Sequence, residues 1–148
     1  MASDKFVGFP YPITKKARGF LATQKGVDQV KSDILALLLT NQGERVMMPN
    51  FGCNLRKFLF EPNDLFVTQE IKSTIAQQLR LWEPRIIVDQ IEVSIGADVE
   101  DLNPADTLSD VDSILFIKIT FFDPDNIVDT QKLELNYSFN TSRAPNVL

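Results

Sequence analysis

At Trp82-Glu83-Pro84-Arg85-Ile86 the apolar residues of this chain change period. Before the joint, Val67, Ile71, Ile75, Leu79 and Trp82 recur at helical spacing and form one stripe. After it, from Ile86 to Ile95, the pattern alternates as in a strand. That alternation assigns Ile87, Ile91, Val93 and Ile95 to one face and Val88, Gln90, Glu92 and Ser94 to the other. Pro84 forces the change, because the residue before a proline is pushed sterically out of the helical region. An amphipathic helix that runs straight into a half-buried strand limits the chain to folds in which helix and sheet share one core.

The remaining elements fit around this joint. A first helix is expected from Val27 to Thr40, with Val27, Val30, Ile34, Leu37 and Leu38 at helical spacing and Gly43 as its stop. Asn54 to Phe60 reads as a short helix with Leu55, Phe58 and Leu59 inward. The second helix begins at Asp64 or Thr68, either of which can cap it. A second strand, Ile114 to Phe122, is apolar on both faces, which suits a central position in its sheet. A third, Lys132 to Phe139, alternates cleanly and is expected to join the second through a connection at Asp123 to Gln131. Residues 1–24, with FPYPI extended by its prolines, read as an N-terminal arm. The basic cluster Lys15 to Arg18 within it is read as solvated. Residues 25–140 form the folded domain and 141–148 a C-terminal tail. The sum is a single α+β domain: two main helices packed on a three-stranded antiparallel sheet.

Composition closes off several chemistries. The chain has 148 residues, enough to bury about two-thirds of its unfolded surface without a disulfide or metal. It contains no histidine, so a Ser-His-Asp triad, a Cys-His dyad and a histidine-bearing zinc site are all excluded. Cys53 is its sole cysteine, so no internal disulfide can form. A formal charge of −5 argues against a nucleic-acid partner, and the longest apolar run, Ile34 to Leu39, is far too short to span a bilayer. The lone cysteine fits a reducing compartment, and the N-terminus lacks the shape of a signal peptide. No glycine-rich phosphate loop can be assembled. Asp123, Asp125, Asp129 and Glu134 fall at four ligand positions of a calcium loop, but Ile127 and Val128 occupy a ligand position and the glycine turn, so the segment is read as a hairpin connection. Catalytic, cofactor and metal residues are therefore expected to be none.

Two connections remain unusually polar. GERVMMPNFG places Glu44 and Arg45 after the first helix and sets Met47, Met48, Pro49 and Phe51 against something apolar. WEPRI places Glu83 and Arg85 on a turn stiffened by Pro84. Glu83 paired with Arg45 or Arg85 is either an ordinary ion pair or a rigid presentation of charge to another protein. Thr40, Gly43, Arg45, Pro49, Phe51, Gly52, Leu59, Phe60, Glu83, Pro84 and Arg85 together resemble the contractile-tail baseplate wedge family. That family includes the W-type phage wedge proteins and the TssE component of type VI secretion. The resemblance runs from about residue 19 to residue 139, and the connection Gly96 to Ser113 is longer than the family's usual one.

The resemblance implies a structural, non-enzymatic protein of a phage tail baseplate, assembled in the host cytoplasm and resident in the virion. Its partners would be other baseplate wedge proteins and tail sheath subunits, with the tail tube or hub as a further contact, and neither nucleic acid nor membrane. The wedge contact would fall on Trp82, Glu83, Pro84, Arg85 and Arg45. In the third strand, Asn136, Tyr137, Ser138 and Phe139 carry no charge and no proline, so this edge is the one expected to receive sheath strands. Rival readings are the equivalent baseplate part of a type VI secretion system, an adaptor-binding regulatory protein of the same fold, and a cell-wall glycosidase.

The connection 96–113 carries Asp98, Glu100, Asp101, Asp106, Asp110 and Asp112 with no Lys or Arg. Its spacing fits no ligand loop, so calorimetric titration with calcium is expected to show no binding below roughly millimolar, the weak end of natural sites. Tight stoichiometric binding would contradict this.

Overall fold

The computed structural model describes residues 7–17, 19–62, 64–95, 114–124, 126–138 and 146–147. The acidic connection 96–113 and Phe139 lie outside the described residues. Two strands of two residues each come first, β1 (Val7–Gly8) and β2 (Gln24–Lys25), paired antiparallel with Val7 opposite Lys25. Residues 9–23 thus leave and return to one point, so the expected arm is pinned beside the first helix. Phe9, Ile13 and Phe20 are exposed along it, and the Tyr11–Pro12 peptide is cis.

The helix α1 (Val27–Leu39) buries Val30, Ile34, Leu35, Leu37 and Leu38, as its spacing predicts. It ends one residue before the expected boundary because Thr40 turns extended, its hydroxyl donating to the Ala36 carbonyl. Gly43, expected as the stop, lies further out in a turn at φ +88°, where its N–H donates to the Pro49 carbonyl. A short 3-10 helix, Leu55–Phe60, buries Leu55, Phe58 and Leu59. The helix α2 (Leu65–Trp82) follows Asp64 and buries Val67, Ile71, Ile75 and Leu79. Each such side chain contributes roughly 1.5–3 kcal/mol when fully removed from water.

The sheet has the order β3 (Ile87–Ile95), β4 (Ile114–Asp123), β5 (Asn126–Ser138), β6 (Asn146–Val147), all antiparallel. The doubly apolar strand β4 is central among the three long strands, as its pattern required. Its inward residues Leu115, Ile117, Ile119 and Phe121 are buried under the helices. On the outward face, Lys118 bridges Glu134 at 3.3 Å and Glu92 at 4.0 Å. These exposed pairs contribute about 0–1 kcal/mol each.

Two strand expectations need correction. The pairing of β3 shifts between Val88 and Gln90, a bulge at Asp89. The extra residue turns the strand over. Val88 therefore packs on the core and Ile87 is 45% exposed, the reverse of the simple alternation, while Ile91, Val93 and Ile95 keep the face expected of them. The third strand begins not at Lys132 but at Asn126, after a turn at Pro124. The expected long connection is largely strand, with its surplus length absorbed by a register shift between Phe121 and Asp123.

Gly52 fixes the return of the chain after α1. It sits at φ +112°, and a Cβ there would lie 2.2 Å from the Thr40 carbonyl oxygen. Both the conformation and the space require glycine. Gly52→Ala is expected to destabilise the domain by about 2–4 kcal/mol in urea unfolding, through backbone strain and the clash together. Burial pushes the thiol of neighbouring Cys53 up to about 12. Cys53 should accordingly react with a disulfide reagent at pH 8 only at the rate of unfolding, and faster in Gly52→Ala.

Candidate partner-docking site

The joint after α2 is built by its own backbone first. The Glu83 N–H closes the last helical turn by donating to the Leu79 carbonyl at 2.8 Å, and Pro84 prevents another. Glu83 is left only 5% exposed. Its two carboxylate oxygens accept from Nε and Nη2 of Arg85, a bidentate pair across the proline. Nη2 of Arg85 also donates to Oδ2 of Asp33, 52 residues away on α1. Asp33 in turn accepts from Nε2 of Gln29 at 2.7 Å through its other oxygen. One guanidinium therefore ties α1, the end of α2 and the entry to β3. The hydrogen bonds to Glu83, followed by those to Asp33, push the Arg85 pKa further up, so it stays charged at any practical pH.

The second polar connection meets this joint through aromatic rings. The Arg45 guanidinium lies 4.3 Å from the centre of the Phe51 ring. Phe51 stands edge-on to Trp82 at 5.3 Å and 69°. Cation–π and edge-to-face contacts of this kind are worth about 0.5–1.5 kcal/mol each. The indole Nε1 of Trp82 is buried and has no hydrogen-bond partner among the described residues. The turn between is scaffolded by Gly43 to Pro49, Met48 to Arg45 and Phe51 to Met48 backbone bonds. Glu44 accepts from the backbone N–H and side-chain amide of Asn41, which holds its carboxyl below the usual range. Of the residues expected against something apolar, Phe51 packs on the core. Met47 instead is 94% exposed at φ +66°, with Val46 beside it at 88%.

The structure thus links Trp82, Glu83, Pro84, Arg85 and Arg45 in one neighbourhood, with Glu83 buried within it. Asp33 and Phe51 join them. Asp33 carries no local signal, since it is one acid on a helix and its partner is distant in sequence. A groove of about 400 Å³ lies between the N-terminal arm, α1 and the turn, lined by Phe9, Tyr11, Asp33, Arg45 and Phe51. Another of about 710 Å³ lies between α2 and β3, lined by Lys72, Arg80, Glu83, Pro84 and Ile87. The joint stands between the two.

The other predicted site is separate, at the far end of β5. Ser138 pairs with Ile114, and Tyr137, opposite Leu115, packs half-buried on the core. Burial raises the Tyr137 phenol. Asn136 pairs with Phe116 on one side and with Asn146 of β6 on the other. The edge expected to be open is therefore partly covered by the chain's own C-terminal segment. Among the described residues, no group of three or more His, Cys, Asp or Glu is placed to hold a metal.

Glu83 is buried and Arg85 is its cation, so loss of the guanidinium is more than a surface change. Arg85→Ala is expected to cost about 2–3 kcal/mol in urea unfolding, because it strands a buried carboxylate. Asp33→Asn, at a half-exposed position, should cost about 1 kcal/mol or less.

Comparison with known proteins agrees with this architecture. Residues 24–112 match the family model described as baseplate wedge protein gp25. Baseplate wedge protein gp25 of Enterobacteria phage T4 is 27% identical over 110 residues, covering 74% of either chain. Among solved structures, a chain of the anti-feeding prophage baseplate superposes with a TM-score of 0.64 at 21% identity, covering 84% of this chain and 89% of that one. A Geobacter sulfurreducens crystal structure, provisionally described as a tail lysozyme, gives 0.58 at 24% identity over 78% and 92%. The postcontracted pyocin R2 baseplate contributes a chain at 0.53 and 22% identity over 75% and 97%. At these identities the three structures establish the shared fold, and the match over more than half the sequence establishes the lineage: the chain belongs to the baseplate wedge protein gp25 family.

Proposed function

We propose that this protein is an architectural subunit of a phage contractile-tail baseplate, that it binds the wedge core through the joint at Trp82, Glu83, Pro84, Arg85 and Arg45, and that it initiates the sheath through the edge of β5. It would assemble in the host cytoplasm and remain in the virion. The observation that carries the wedge contact is the convergence of two polar connections on one guanidinium clasp and one aromatic stack. A buried ion pair is a poor source of net stability, since apolar residues of similar volume usually serve as well or better. What it supplies is fixed geometry. Arg85, a third exposed, and Arg45, on its ring and lining the groove beside the N-terminal arm, present two cations at set positions. Such a surface suits a helical bundle that offers carboxylates and apolar ridges.

The reading is non-catalytic. The sequence has no histidine, and its acids at the joint are committed to Arg85. The tail-lysozyme description of one structural neighbour is addressed by a turbidity assay on peptidoglycan, where no clearing is expected.

Arg45→Glu reverses one cation on an exposed side chain and leaves the Glu83 clasp intact. Mixed with purified wedge proteins of the same baseplate, this variant is expected to enter wedge complexes at least tenfold less well than the parent, read by sedimentation. It should melt within about 1 kcal/mol of the parent, as surface changes usually do. Arg85→Lys keeps the charge but not the fork, and should be intermediate in assembly. Normal incorporation of both variants would remove the joint from the wedge contact.

A further inference from the structure

Burying a polar side chain costs free energy unless its hydrogen bonds are replaced, so each buried polar group calls for a reason. Among the described residues they are Gln29, Ser32, Glu83 and Gln78, and the first three belong to one continuous set of contacts. It begins on the N-terminal arm, where Gly8 of β1 stands opposite Gln24 of β2. Oε1 of Gln24 accepts from the Ser32 hydroxyl at 2.6 Å, which fastens the arm to α1. One turn back along α1, the Gln29 side chain lies against Gly8: a Cβ there would stand 2.6 Å from both Cδ and Nε2 of Gln29. Nε2 of Gln29 donates to one oxygen of Asp33. The other oxygen of Asp33 accepts from Arg85, which also donates to Glu83.

We propose that Gln29 is a positioning residue for the joint: it carries the seating of the N-terminal arm to the Arg85 guanidinium, so that the arm helps to set how Arg85 meets the wedge core. The inference deepens the wedge contact proposed above and rests on it. The chemistry of Asp33 fixes which way the amide points. Asp33 is ion-paired with Arg85, and an ionised carboxylate only accepts, so the NH2 end of Gln29 must face it. Oε1 is left on the other side, buried and without a hydrogen-bond partner among the described residues. The amide is therefore held by its bond to Asp33 and by the backbone of Gly8 lying against it. Moving the arm moves the amide, and the amide holds one oxygen of Asp33 while the other holds Arg85. Glu83 fixes the guanidinium from the joint's own side, and Asp33 fixes it from α1. The atoms that a methyl group at residue 8 would meet are the far end of a flexible side chain, so the methyl displaces Gln29 and leaves the backbone where it is.

The test uses the full chain with isotopically labelled arginine. In the free subunit, NMR reads the rate at which Nη1 and Nη2 of Arg85 exchange places, with the signals assigned by their loss in Arg85→Lys. Gly8→Ala and Gln29→Leu are each expected to raise that rate roughly threefold or more, because a loosened Asp33 no longer holds the fork. Ser32→Ala, which releases Gln24 without touching Gln29, is the second arm variant and should act in the same direction. Either arm change combined with Gln29→Leu should match Gln29→Leu alone, since the arm acts through that side chain. Sedimentation with purified wedge proteins of the same baseplate should show each single variant entering wedge complexes several-fold less well, and the combinations no worse than Gln29→Leu. An unchanged Arg85 rate in Gln29→Leu, or effects that multiply in the combinations, would overturn the positioning role. So would a faster rate with normal wedge entry while Arg85→Lys is impaired. Normal entry of every variant, Arg85→Lys and Arg45→Glu included, would instead remove the joint from the wedge contact, and the Arg85 rate alone would then decide whether arm and guanidinium are coupled.

Discussion

A carboxylate 95% withdrawn from solvent must have its oxygens satisfied, and Glu83 is satisfied by one side chain. Much of the structure follows from that requirement. Arg85 can reach Glu83 with both nitrogens only because Pro84 turns the chain between them. The same guanidinium then reaches Asp33, so α1 is held against the exit of α2 at a fixed height. The β3 strand starts immediately afterwards, and its direction is set by the clasp. The arrangement is economical in residues but demanding in geometry. A lysine could neutralise either acid but could not bridge both with planar bonds.

Around this centre the fold separates two tasks. Packing is handled chiefly by the apolar residues on the buried faces of α1, α2 and β4. Presentation is handled by the connections, which are polar, stiffened by Pro49 and Pro84, turned through positive φ at Gly43 and Gly52, and pinned by backbone hydrogen bonds. Binding surfaces made of loops usually trade precision for mobility. Here the turn after α1 is held at both ends, by Gly52 on the Thr40 carbonyl and by Phe51 on Trp82.

Local pattern made the helices and the central strand legible. Val67, Ile71, Ile75 and Leu79 gave one period, and the doubly apolar β4 could only be central. The joint itself was readable, because Pro84 dictates a break and Glu83 and Arg85 flank it. The misses have nonlocal causes. Asp33 is paired across 52 residues, and one acid in a helix says nothing of its partner. The bulge at Asp89 reverses Ile87 and Val88 without altering composition, since both are apolar and either would serve inside. Asn126 to Gln131 looked like a connection because Pro124 and Asn126 are turn residues; strand pairing with β4 overrode them. The segment at Asn146 and Val147 carries no strand pattern of its own and is ordered by the edge it meets.

The tip of the turn after α1 has a chemical consequence. Met47 is almost wholly in solvent, on a backbone that does not depend on its side chain for any core contact. Its sulfur is open to peroxide, and conversion to the sulfoxide would exchange an apolar tip for a polar one. Because the change stays at the surface, the fold would tolerate it. The oxidised and reduced forms of the subunit would then differ in the stickiness of one knuckle and in little else, a difference that methionine sulfoxide reductases can erase.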